Sequence, residues 1–556
     1  MSLVLLIAIP FAGGLLAWLA ARWSVAACRW VALAASLAGL GLAVVLWARY
    51  FTGSGTGVEA AAASAGSTAG TAGAAAVPGA DTFVLHFDVP WIPQAGIRFH
   101  LAIDGLSLIM LMLTFAVVTL ALLSSWTTLR RRTGLFHFQL MWAAASLAGV
   151  FMALDLFLFY FFFEMMLVPF FFLIALWGHE QRRRAAIKFF IYTQAGGLLM
   201  LISIVALYFV HGRQSGDYTF DYLRLLGTSF SGSTGLLLML GFFAAFAVKL
   251  PAVPLHGWLP DAHSQANTAG SVLLAGLLIK VGAYGMLRFL IPLFPQAAFD
   301  FRDIAMGLGV AGILYGALMA FAQTDLKRMV AYTSVSHMGF VLLGVFAWNE
   351  LALQGVVLQI VCHAFSTGGL FLVAGALEER LGTRDLGGMG GLWARLSTLG
   401  GFGMVLAMAA MGLPALGNFV AEFLILLGTF QVNRPAAIVA SLGLVLATVY
   451  ALSLVQRVFH GQEPVTLPAT PDRQSGRGRW GLSVRELVMF AVAVVVLLWL
   501  GLYPQTLINT MRPTSDFLLR TAPAATTLDP PATTQGAAPE PAAPSPAAAT
   551  TSGGAP

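Results

Sequence analysis

Six residues of this sequence could do chemistry in places where their types are costly: Glu164, Lys249, Lys280, His337, His363 and Glu422. Glu164 is the sharpest case, because it interrupts the apolar stretch YFFFEMMLVPFFF at Tyr160–Phe172. A charge near the centre of a bilayer costs ~2.5–3.5 kcal/mol on insertion scales, so such residues point to function by default. Carboxylates, amines and imidazoles hold and release protons, and the chemistry this set offers is proton transfer.

The lysines narrow that chemistry. The chain has four, Lys188, Lys249, Lys280 and Lys327, and otherwise carries its positive charge on arginine. Lys249 and Lys280 lie inside apolar runs, Lys249 ~13 Å from the nearer end of its run. A lysine stem does not comfortably reach water over that distance. Arginine stays protonated, whereas a buried lysine lowers its pKa and lets its proton go. A chain that needed only fixed cations would have used arginine there too.

Each residue also has a plainer reading. Glu164 and Lys249 read equally as a static pair between helices, although buried pairs rarely outperform apolar packing. Lys280 would then be paired with some carboxylate. His337 sits among hydroxyls in TSVSHMG, and His363 has Gln359, Ser366 and Thr367 at helical spacing, so both could be hydrogen-bonded packing. Glu422 has Asn418 one turn away. His256, Asp261 and His263 stand at the loop end of a proline-broken run, as proton intake or as caps. Asp104 and Asp155 fall near run ends and read as boundary residues.

Two runs are broken. In KLPAVP (Lys249–Pro254), Pro251 and Pro254 cannot bond back to the carbonyls of Ala247 and Leu250, which then need water or a side chain. In GLPALGNFVAE (Gly412–Glu422), Pro414 frees the carbonyl of Ala410. Broken helices at membrane depth are tolerated where they line a cavity or pack within protein.

The elements that must position these residues follow from composition. The chain has 556 residues, 58% apolar and 10% charged. Apolar runs of about 20 residues recur along it, each long enough to cross a bilayer as a helix. The fold class is therefore an all-α polytopic membrane protein with about 14 transmembrane helices. Residues 1–125 hold helices 1–3 and a low-complexity loop at 52–80. Helices 4–8 (126–295) and helices 9–13 (300–460) form two five-helix units, and an odd count makes consecutive units inverted. The broken helix is the fourth of each, as inverted repeats require. A loop and helix 14 follow at 461–510, and 511–556 is a disordered Ala/Pro-rich tail. The first run lacks a positive n-region and a cleavage site and is expected to be retained.

Arginines and lysines collect on one side of this plan, which makes that side cytoplasmic and, with an even helix count, puts both termini on the outer side. Two distant cysteines, Cys28 and Cys362, support neither a zinc site nor an iron–sulfur cluster. No phosphate-binding glycine motif is present, so no cofactor and no metal are expected in this chain, and no nucleic-acid partner. Its partners are protons and the lipid bilayer. Composition leaves open a proton-translocating subunit driven from elsewhere, a stand-alone sodium/proton antiporter, and a scaffold with structural charges.

The motifs KLPAVPLHGWLPDAH (Lys249–His263), TDLKRMVAYTSVSHMGFV (Thr324–Val341) and GHEQRRRAAIKFF (Gly178–Phe190) resemble the antiporter-like subunits of respiratory complex I. The resemblance covers roughly residues 100 to 510 and extends to sodium/proton antiporters and membrane-bound hydrogenases. It implies a translocase without its own redox centre, working beside antiporter-like sibling subunits of an NADH:quinone oxidoreductase. It implies that Glu164 pairs with Lys249, and that Lys280 and the two histidines lead laterally to Glu422. Glutamate rather than lysine on helix 12 distinguishes one member of the family from its siblings.

Overall fold

The computed structural model describes residues 1–52, 82–129, 131–462, 481–523 and 553–554. The low-complexity stretch 53–80, and the tail beyond 523 apart from 553–554, lie outside the described residues. Chain order is α1 (Ser2–Ala20), α2 (Val25–Thr52), the hairpin β1 (Leu85–Ile92) and β2 (Ile97–Ile103), then α3 (Gly105–Ser124) and α4 (Thr133–Met152). Next come α5 (Leu156–Trp177), α6 (Arg182–Ser215), α7 (Thr234–Lys249), α8 (Trp258–Gln265), α9 (Thr268–Leu293) and α10 (Pro295–Phe321). The series closes with α11 (Leu326–Ala347), α12 (Glu350–Leu381), α13 (Ser397–Ala410), α14 (Gly417–Val432), α15 (Arg434–Phe459), α16 (Val484–Leu502) and α17 (Gln505–Arg520).

Among the described residues, twelve of these helices are long and apolar enough to cross a membrane. The two further crossings of the sequence reading are the interrupted ones: α7 with α8, and α13 with α14. Burial sorts the helices. In α9, α11 and α12 every residue of the most apolar stretch is buried, against a third in α1, α2 and α16. The three helices without a lipid-facing stripe carry Lys280, His337 and His363.

The first break differs in detail from its expectation. The Ala247 carbonyl accepts the Ala252 N–H at 2.8 Å, and the Trp258 indole donates to the Val248 carbonyl at 2.9 Å. The chain wraps on by one residue instead of leaving Ala247 to solvent. The second break turns at Gly412, whose φ of +77° a side chain would strain. Its Pro414 frees the Ala410 carbonyl, which faces the Tyr450 hydroxyl at 3.5 Å.

Two elements depart from the helical plan. Residues 85–103 form an antiparallel hairpin, with Asp88 opposite His100 and the Arg98–Asp88 ion pair at 2.7 Å. Apolar and polar residues alternate there with period two, a strand signal that the apolar run from Leu101 onward obscures. The expected disordered tail from 511 is also corrected, because α17 continues to Arg520. Leu507, Met511, Phe517 and Leu518 are buried along it, and Thr514 Oγ1 donates to Asp104 Oδ2 at 2.7 Å. One apolar side is enough to order a helix that cannot span.

Candidate proton-transfer site

Lys280 is positioned by a wide turn. The π-helical stretch Leu274–Leu278 precedes it in α9, and such bulges recur at functional sites because they release a carbonyl. Here Lys280 Nζ donates to the Ala275 carbonyl at 2.5 Å. Its other neighbour is His363 Nδ1 of α12, 2.6 Å away. Both side chains are fully buried. Two cations 2.6 Å apart would repel by about 6 kcal/mol at an effective dielectric of ~20. Lysine and histidine therefore carry at most one positive charge between them, and the 2.6 Å separation is within reach of a direct proton transfer.

The chain continues laterally. The His363 and His337 rings lie edge to face, with centroids 5.5 Å apart. His337 Nδ1 is 2.8 Å from Glu422 Oε1 on α14, and Gln359 Nε2 donates to the same oxygen at 2.8 Å. The Tyr450 hydroxyl lies 3.1 Å from His337 Nε2. With neutral His337 the hydroxyl donates to Nε2. With a cationic ring Nε2 donates instead, and the hydroxyl can turn toward the Ala410 carbonyl of the broken helix. Tyr450 thus accommodates both protonation states of His337. Asn418, the expected neighbour of Glu422, donates to Ser366 Oγ at 3.2 Å instead.

Glu164 and Lys249 are arranged differently from what the resemblance implies. They make no ion-pair contact, and Glu164 Oε1 and Lys249 Nζ are both buried without a hydrogen-bond partner. The ammonium lies over the rings of Phe163 and Phe189, at 4.8 and 5.9 Å from their centroids. The Glu164 carboxylate leans toward α6, where Gly197 leaves it room that a Cβ would fill. Helix α5 is interrupted at Met166, because Pro169 offers no N–H to the Met165 carbonyl, and Glu164 lies just before that break. The carboxylate is held on α6 by packing and the Gln194 side chain, and the amine by aromatic faces, with no ion-pair contact between them. No side-chain hydrogen bond links Lys249 to Lys280 among the described residues.

The four lysines now divide. Lys188 pairs with Asp261 at 2.7 Å and Lys327 with Glu378 at 2.8 Å, whereas Lys249 and Lys280 have no carboxylate partner among the described residues. Asp261 also binds Arg328, so it is a clamp between α6, α8 and α11. Asp104 and Asp155 cap α3 and α5, as boundary residues should. Asp104 does more: it forms a fully buried ion pair with Arg288, which sits on a second π-helical turn of α9.

Tyr450 and Glu378 were not singled out by the sequence, and Gln359 and Lys327 were noted there without a role of their own. Two of the four had a signal in their spacing. Gln359, His363, Thr367, Phe371 and Glu378 follow one another along α12 at intervals of four, four, four and seven, which is one face of a helix. Phe371 stacks on His263 at 4.6 Å, and His263 is fully buried with both ring nitrogens unpartnered. Glu378 ends the stripe beside a cavity of ≈ 570 Å³, whose lining includes His179, Asp325 and Arg384. His179 Nε2 lies 3.4 Å from Glu378, and burial holds this loop histidine below the ordinary histidine value while Glu378 pulls it up. His256 stands apart, edge-on to Tyr315.

Comparison with known proteins bears on the whole chain. Residues 153–448 match the family described as NADH:quinone oxidoreductase/Mrp antiporter, transmembrane. The chain is 50% identical over 515 residues to NADH-quinone oxidoreductase subunit M of Escherichia coli (strain K12), covering 92% of this chain and 96% of that one. It is 48% identical, with the same coverage, to subunit M of Pseudomonas aeruginosa. Among solved structures, respiratory complex I from Thermus thermophilus with bound NADH contains a chain similar to this one with a TM-score of 0.79 at 29% identity, covering 94% of this chain and all of that one.

Proposed function

The chain belongs to the NADH:quinone oxidoreductase/Mrp antiporter transmembrane family, and from that premise we propose that it translocates protons as the M-type membrane subunit of a bacterial respiratory complex I. The observation that carries this reading is the lateral series Lys280–His363–His337–Glu422, polar contacts at each end with the two rings edge to face between them; its first three members lie on helices whose most apolar stretches are wholly buried. Redox chemistry belongs to other subunits, and sibling antiporter-like subunits flank this one. Both termini lie on the periplasmic side.

Residues 126–295 and 300–460 act as two half-channels, with Lys249 and Glu422 as their switching groups. When Glu164 is ionised, its field holds Lys249 protonated across the gap. Neutralising or withdrawing Glu164 leaves the ammonium with aromatic faces alone, and desolvation then favours release. Moving one charge against 100 mV needs ~2.3 kcal/mol. A change of one to two pKa units, at ~1.36 kcal/mol each, is of that size. Protons reach Lys280 from the cytoplasmic cavity along the α12 stripe, from Glu378 and Lys327 past His263. That path is ~22 Å from Glu378 to His363.

The test of identity is to purify the native assembly through a tag on this chain and reconstitute it in proteoliposomes. NADH oxidation by quinone that acidifies one compartment is expected. Sodium/proton exchange with no NADH activity would favour the antiporter alternative. The intake route has its own test: Glu378→Gln should slow pumping by about threefold, with the loss deepening as cytoplasmic pH rises. An unchanged pH profile would remove Glu378 from the route.

A further inference from the structure

We propose that the chain holds an acidic phospholipid at a basic cavity on its cytoplasmic edge. The cavity is ≈ 600 Å³ and lies where the α3–α4 loop meets the end of α5 and the start of α6. Arg131, Arg132, Arg182 and Arg183 line it, and no acidic residue does. Arg182 is half-buried and the other three are exposed at the cavity mouth, and among the described residues none of the four forms an ion pair with a carboxylate, whereas Lys188, Lys327, Arg328, Arg380 and Arg384 of this side do. Glu180, the carboxylate nearest in sequence, lines the separate cavity beside Glu378.

The backbone around the cavity is already satisfied by other groups. The Trp177 indole donates to the Arg131 carbonyl at 3.0 Å, Arg29 Nη2 to the Leu129 carbonyl at 3.4 Å, and Arg182 Nη1 to the His179 carbonyl at 3.1 Å. These bonds hold the loop, and they leave the Arg131, Arg132 and Arg183 guanidiniums without a protein acceptor among the described residues. Helix α6 begins at Arg182 without a side-chain cap, which adds the positive end of its dipole.

The level of the cavity fits a headgroup. Trp23 is 84% exposed on the α1–α2 turn and Trp30 62% exposed near the start of α2, and Trp30 packs on Trp126 at the start of the α3–α4 loop. Exposed tryptophans mark the membrane–water interface. Ala175, Leu176 and Trp177 offer an apolar wall leading toward the hydrocarbon, and Leu176 is exposed along it. A cavity with guanidiniums at the polar end and an apolar wall at the other suits a phosphodiester with acyl chains better than a free anion. Basic pockets between transmembrane helices on the cytoplasmic side recognise such headgroups.

The test uses the intact complex, delipidated and reconstituted in phosphatidylcholine vesicles with or without phosphatidylglycerol. A photoactivatable phosphatidylglycerol is expected to crosslink to the peptide spanning Leu176–Arg183, and the matching phosphatidylcholine probe is not. Inorganic phosphate at millimolar concentration should leave the crosslink intact. The variant R131Q/R132Q should weaken retention about thirtyfold, or about 2 kcal/mol, from the loss of two arginines. R182Q/R183Q should do the same from the other wall, which covers the case in which the loop variant fails to assemble. Equal crosslinking by both lipids, displacement by phosphate alone, or unchanged retention in an assembled variant would each overturn the site.

Discussion

Replacing Lys249 by alanine is expected to reduce NADH-driven proton pumping to about a tenth or less of the wild-type rate, while the complex still assembles. Lys249 has no hydrogen-bond partner to lose and no carboxylate in contact, so its removal orphans no buried acceptor. It lies against Phe163 and Phe189, which can close over part of the space. A purely structural lysine would be replaceable by arginine, because the guanidinium also stacks on rings. Lys249→Arg is nonetheless expected to fail, since arginine does not give up its proton. Proton-pumping assays in inverted vesicles, with assembly followed on native gels, separate the two roles. Full pumping by Lys249→Arg would show that the site needs only a fixed cation. Glu164→Gln should fail in the same assay, because the field that holds Lys249 protonated disappears with the carboxylate.

Glu422→Gln carries the second large effect. Glu422 Oε1 accepts from Gln359 and meets His337, both at 2.8 Å. A glutamine has the same volume and presents an amide oxygen at that place, so neither neighbour is left without an acceptor. Stability should change little. Pumping should fall by about tenfold or more, because the amide neither takes up a proton nor favours a cationic His337. Wild-type pumping in Glu422→Gln would make the carboxylate a packing group and end the lateral chain at His337. A deep loss shared by Glu422→Gln and Lys249→Ala would instead tie both half-channels to one cycle.

The arrangement explains why the apolar surroundings matter. Phe163 belongs to the stretch that drew attention to Glu164, and it is one of the two rings facing the Lys249 ammonium. Those rings exclude water and so enlarge the effect of any change in Glu164. The carboxylate itself stands off on α6, in room provided by Gly197. A gap of this kind is a better switch than a closed ion pair, whose strong contact would have to be broken at each turnover.

The sequence by itself determined the class of the molecule, its crossings, its two breaks and the six ionisable residues that lie inside its apolar runs. These are legible because hydrocarbon imposes one rule on each segment alone: a spanning helix must be apolar and bond within itself, so every exception stands out locally. The hairpin at 85–103 was masked because its alternation runs into the apolar helix that follows, and the helix through 511–520 because its order comes from partners distant in the chain, such as Thr514 on Asp104. Tertiary structure alone decided which exceptions meet. It joined Lys280 to His363 across 83 positions and His337 to Glu422 across 85, and left Glu164 and Lys249 apart. It gave Lys188 and Lys327 carboxylate partners and withheld them from the other two lysines. Spacing along one helix fixes a face, but which faces meet depends on how the helices pack, and no single segment records that.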